Sequence, residues 1–129
     1  MRFSWYPHFL DPDAQAKVLK FIQKDLKKYP DLVIRVREFL ISVEKVENLD
    51  SYYKSEEMAK LDGALHEMRI PPKRRGGVVR IYFCVNPDDS RELMLLDAEL
   101  KHETKPGRTD TAEHRLKEYL AYLARRKQG

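Results

Sequence analysis

Apolar residues recur along this chain with two different periods. From residue 13 onward, Val18, Ile22, Leu26 and Tyr29 fall at intervals of four and three, the spacing of one stripe on an amphipathic helix. Asp11 followed by Pro12 offers a capping carboxylate and a proline suited to a first helical position, so the spacing predicts a helix over 13–28. Pro30 breaks it, and Leu32, Val36, Phe39, Val43 and Val46 mark the face of a second helix. Two helices separated by so short a break are expected to form a hairpin. Residues 48–51 read as the stop, with a further helical turn over 55–61.

The period then changes to two. Residues 64–70 set Ala64, His66, Met68 and Ile70 on one face and Leu65, Glu67 and Arg69 on the other. Residues 78–85 set Val79, Ile81, Phe83 and Val85 against Val78, Arg80, Tyr82 and Cys84. After the turn sequence NPDDS at 86–90, residues 93–101 direct Met94, Leu96, Ala98 and Leu100 to the core and Asp97, Glu99 and Lys101 away from it. This pattern predicts an antiparallel meander with one packed and one polar face. A last helix begins at Asp110 with Glu113 three residues on, a capping-box spacing, and buries Leu116, Tyr119, Leu120 and Leu123. The expected fold is α+β: an N-terminal helical hairpin packed on a small antiparallel sheet, followed by a C-terminal helix, in one domain over residues 1–129.

Composition narrows the setting. Lys and Arg number 25 against 21 Asp and Glu, a net charge of +4, too small by itself to demand an anionic partner. Cys84 is the only cysteine, which excludes an internal disulfide and fits a reducing cytoplasm. No secretory leader pattern and no membrane-length apolar run is evident. The four histidines, His8, His66, His102 and His114, share no ligand spacing, so neither a metal nor any other cofactor is expected. His66 falls on the core-facing side of its strand, and Cys84 reads as a space-filling residue in or beside the sheet.

The candidate chemistry lies on the polar sheet face. Glu67, Arg69, Arg80, Tyr82, Glu99 and Lys101 fall on it together, and Lys73, Arg74 and Arg75 occupy the loop between its first two strands. Arginines match phosphate geometry, a tyrosine stacks on bases, and a basic loop tracks a nucleic-acid backbone. Alternating charge on an exposed antiparallel face equally serves cross-strand ion pairing, the commoner reason for such a pattern. His102 follows Lys101 at the strand end, where an imidazole could move protons near neutral pH.

Four blocks in order carry a resemblance: Leu61-Asp62-Gly63-Ala64-Leu65-His66-Glu67-Met68-Arg69, Arg80-Ile81-Tyr82-Phe83, Lys101-His102-Glu103-Thr104-Lys105-Pro106 and Ala112-Glu113-His114-Arg115. Together they resemble the RelE/ParE toxin superfamily, most closely its phage-derived HigB-like branch. His102 stands where that pattern has the second of two lysines, and Glu103 adds a negative charge beside it. The resemblance implies a RelE-like fold and the toxin of a type II toxin–antitoxin pair, a ribosome-dependent mRNA endonuclease working without a metal. It implies Arg69 and Arg80 as ligands of the scissile phosphate, Lys101 and His102 in charge stabilisation or proton transfer, and Tyr82 orienting a base. Glu67 would fix an arginine rotamer. The implied partners are mRNA on the ribosome and a cognate antitoxin, expected to carry a helix-turn-helix. Two other roles stay open: a ParE-like inhibitor of DNA gyrase, and a catalytically degenerate toxin fold serving as an interaction module.

Overall fold

The computed structural model describes residues 1–71, 77–101 and 107–128. Its frame is a five-stranded mixed sheet in the order β1-β5-β4-β3-β2. The strands are β1 (Arg2–Trp5), β2 (Met58–Asp62), β3 (Leu65–Ile70), β4 (Val78–Asn86) and β5 (Asp89–Lys101). β3 to β5 form the expected antiparallel succession, β2 extends it antiparallel beside β3, and β1 joins β5 in parallel, with Arg2 opposite Glu92 and Trp5 opposite Leu95. The helices are α1 (Lys17–Lys20, continuing as a π-helical turn over Phe21–Asp25), α2 (Pro30–Glu44), α3 (Asp50–Lys54) and α4 (Thr109–Gln128). The fold is α+β with a C-terminal helix, as the periodicity predicts, but the sheet is mixed and larger than the expected meander.

Several local expectations are corrected. The first helix starts at Lys17 rather than residue 13, because residues 7–14 fold into consecutive turns and Asp11 accepts a bond from the Asp13 N–H at 3.1 Å. The Asp11 side chain therefore closes its own turn instead of capping a helix. Val18, Ile22 and Leu26 are nevertheless buried as predicted. The Leu26 N–H reaches back to the Phe21 carbonyl at 3.0 Å, the wide turn of a π-bulge. The two leading helices do not form a clear hairpin: α1 packs on β5 and α2 on β3. Residues 50–54 are helical where a stop was expected, and the segment read as a helical turn is β2. Glu56, at φ 63°, reverses the chain between them.

The sheet is packed on both faces. On one side, α1, α2 and α3 cover Met68, Ile70, Val79, Ile81, Phe83, Leu93, Leu95 and Ala98. On the other, Ala112, Leu116 and Tyr119 of α4 cover Leu65, Tyr82, Cys84, Met94 and Leu96. Met94 and Leu96 thus lie opposite the face assigned to them by strict alternation. The cause is a bulge: Tyr82 pairs with Asp97 and Phe83 with Leu95, leaving Leu96 without a partner. The extra residue reverses the phase of β5, so Leu93 and Leu95 share a face with Ala98. Burying an aromatic or aliphatic side chain of this kind contributes about 1.5–3 kcal/mol, enough to make the bulged register the favoured one.

Candidate functional site

α4 covers only part of the second sheet face. Beyond it, where β3 and β5 end and β4 begins, the same face carries charge. Arg69 lies opposite Arg80, and Arg80 opposite Glu99; the next row is Glu67, Tyr82 and Asp97, and Lys101 lies opposite Val78. The alternation read from the sequence therefore brings Glu67, Arg69, Arg80, Tyr82, Glu99 and Lys101 together on one face.

The arrangement is an ordered network. Arg69 Nε and Arg80 Nη1 each donate to the same Glu67 oxygen, Oε1, at 2.6 Å. The Glu67 side chain is 3% exposed, against 38% for Arg69 and 22% for Arg80. A buried carboxylate thus draws in two half-exposed guanidinium groups, and the pairing compensates its desolvation. Arg80 Nε is buried with no hydrogen-bond partner among the described residues.

Glu99 organises the neighbouring half. Its Oε2 accepts from the Tyr82 hydroxyl at 2.8 Å and from the Arg108 backbone N–H. Gly107 lies against this junction: a Cβ there would approach Glu99 Oε2 and the Tyr82 oxygen to 3.3 Å and Lys101 Nζ to 3.6 Å. The close approach leaves no room for a side chain at position 107 unless its neighbours move. Asp97 takes Arg108 Nε on one oxygen at 2.7 Å and Arg115 Nη1 on the other at 3.1 Å. Arg115 also donates to the Leu96 carbonyl at 2.9 Å and lies 4.9 Å from the centre of the Tyr6 ring. The start of α4 is thereby clamped to β5 by two carboxylates. The bond to Asp97, first among its causes, raises the pKa of Arg108 further.

This geometry revises one expected role. Tyr82 is fully buried, so its ring offers no face for stacking a base. Burial, then the bond to Glu99, raises its pKa, and the hydroxyl remains a donor that positions Glu99. Lys101 is half-buried at the rim. His102 and the loop residues Lys73, Arg74 and Arg75, all expected to contact substrate, lie outside the described residues. Asp97, Arg108 and Gly107 join the site without any local pattern in the sequence that marks them. Only their non-local contacts reveal them, although Arg115 stands in the last of the quoted blocks.

Next to the network, beyond Leu95 where β1 stops pairing, the free edge of β5 borders a cleft of about 480 Å³. Lys17 and Lys20 of α1 line one wall and Arg108 and Arg115 the other, with Asp97 and Glu99 between them. Five basic side chains, Arg69, Arg80, Lys101, Arg108 and Arg115, face three buried carboxylates across this end of the sheet. The cleft adds Lys17, Lys20 and Asp25, so the local balance is positive.

The remaining histidines are engaged elsewhere. His66 is half-buried between the Tyr53 and Phe83 rings and bonds the Tyr53 hydroxyl through Nδ1. His8 Nε2 lies 2.9 Å from the Ala14 carbonyl, and His114 is 3.5 Å from Glu118 on the outer surface of α4. Among the described residues no group of three or more His, Cys, Asp or Glu side chains converges as a metal site would, and no helix is long and apolar enough to cross a membrane. No protein-family model, curated protein or solved structure matches the chain, so the RelE/ParE resemblance stands on the quoted sequence blocks.

Proposed function

We propose that the chain is an RNA-cleaving toxin of the RelE/HigB kind, acting on mRNA at the ribosome, with the open part of the second sheet face as its phosphate site. The observation that carries this reading is the opposed pair Arg69 and Arg80, brought from neighbouring strands to one point and fixed there by Glu67. Each arginine has five N–H donors and among the described residues gives one side-chain bond, to Glu67, which leaves donors for phosphate oxygens. Cleavage would proceed by attack of the 2′ oxygen on the adjacent phosphorus as its proton passes to a base. The bond from phosphorus to the 5′ oxygen then breaks, and that oxygen takes up a proton. A 2′,3′-cyclic phosphate and a 5′-hydroxyl end result.

In this scheme Arg69 and Arg80 stabilise the charge that builds on the non-bridging oxygens, the largest single contribution such a site can make. The Lys101 ammonium would deliver the proton to the leaving oxygen, and His102, standing where the family pattern has its second lysine, would make the complementary transfer. A cognate antitoxin would hold the protein inactive in the cell.

Induction in a bacterium tests the reading. Growth should arrest, and primer extension should reveal new cuts within translated messages; Arg80→Ala should remove the cuts while the protein still accumulates folded. Arrest with intact mRNA and altered DNA supercoiling would instead select the gyrase inhibitor.

One observation favours a second reading, a toxin fold retained as an interaction module. Glu67, Asp97 and Glu99 already hold four arginines among them when Arg108 is counted through its backbone and side chain. Ion pairing of this extent is a sufficient structural reason for these residues, even with Arg80 Nε left without a partner among the described residues. Absence of any arrest on induction selects it.

A further inference from the structure

The outer surface of α2 carries a pattern that reads the same from either end. Ile34 and Ile41 are 52% and 51% exposed, and between them lie the exposed pair Arg37 and Glu38. Each isoleucine is separated from the charged pair by two residues that are buried or half-buried, Arg35 and Val36 on one side and Phe39 and Leu40 on the other. Reversing the helix restores both isoleucines and exchanges the two charges. A two-fold axis between positions 37 and 38 would therefore set Ile34 against Ile41 of a second copy and Arg37 against its Glu38, twice over. A self-complementary patch of this form is what a two-fold interface requires.

We infer that α2 is a homodimer surface and that its occupant is a second copy of this chain. The i, i+4 rows Ile34–Glu38 and Arg37–Ile41 supply ridges for crossed helix packing at about 50°. Such a crossing lets Asp31 and Glu44, acidic at the two ends of α2, diverge into solvent rather than face their counterparts. Beside Ile34 a groove of about 430 Å³ is lined by Ile22, Lys27, Pro30, Val33 and Arg37, and Ile41 of the second copy enters it. The apolar contact is small, so the dimer is weak and concentration-dependent. It lies on the helical layer, across the sheet from the arginine network, and is independent of the proposed activity.

Sedimentation of the full chain over a range of concentrations tests the inference, with circular dichroism to confirm that each variant is folded. The wild-type chain should pass from monomer to dimer, and Ile41→Glu should hold it monomeric. Arg37→Glu and Glu38→Arg should each raise the dimer dissociation constant at least about tenfold, because each places like charges together at two points. The double variant Arg37→Glu/Glu38→Arg should restore association, since both pairs are then reversed. A chain monomeric at every concentration, a dimer indifferent to these substitutions, or a double variant no tighter than the singles would overturn it.

Discussion

Arg69 and Arg80 lie directly opposite each other on β3 and β4 and share one oxygen of Glu67, each at 2.6 Å. Two like charges facing across a sheet repel, and the buried Glu67 carboxylate bonded to both offsets that repulsion, with Glu99 opposite Arg80 as a further anion. The element that positions the candidate phosphate ligands is therefore Glu67, and its removal should be felt first in stability.

Glu67→Gln keeps the shape of the side chain and removes its charge. The two arginines are partly exposed and can turn to water, so the loss should be about 1–3 kcal/mol rather than the larger cost of stranding a fully buried ion. Urea unfolding should show a lower midpoint at an unchanged slope. An unchanged midpoint would mean that Glu67 does not hold the pair.

Gly107→Ala places a methyl group 3.3 Å from both Glu99 Oε2 and the Tyr82 oxygen. Neither is a free side-chain end, because they are bonded to each other. The substitution should cost about 1–3 kcal/mol, as overpacking does, and should alter the near-ultraviolet tyrosine signal. Tyr82→Phe, which removes the hydroxyl donor to Glu99, should cost about 1 kcal/mol. If Gly107→Ala melts at the wild-type temperature, the junction is looser than described.

Burial, and then the charge of Lys60, hold the His66 pKa below its ordinary value of 6.5. The unfolded chain therefore binds a proton at a pH where the folded chain does not. This makes stability fall as pH drops through about 6.5 toward the lower folded value, with no effect of His66 above that window. His66→Gln should flatten the fall between pH 7 and pH 5 in thermal melts. A slope that survives the substitution would assign it to other groups.

Cys84 is buried on the face under α4, and burial pushes its thiol up to about 12. Thiolate is the reactive form, so a disulfide reagent should leave the native protein unmodified at pH 8 and label it at the rate of unfolding. Rapid stoichiometric labelling of the folded chain would contradict the packing of α4.

The candidate site is legible in the sequence to the extent that it depends on alternation. The phase of β3 and β4 alone sets Glu67, Arg69, Arg80 and Tyr82 on one face, because a strand's side chains alternate whatever lies around it. What the face does with them is not local information. Tyr82 looks available for stacking until α4 and Glu99 enclose it, and Asp97 looks solvent-facing until Arg108 and Arg115 reach it from the start of α4.

By itself, the sequence determined the α+β class, the apolar stripe of α2, the alternation of β3 and β4, and the C-terminal helix. Each follows from backbone periods acting over a few residues. Only the tertiary structure decided that β1 joins the far end of the chain in parallel, that α1 lies on β5, and that a bulge at Leu96 reverses which residues of β5 are core. Those outcomes depend on which distant surfaces cover one another, and one unpaired residue is enough to exchange the two faces of a strand.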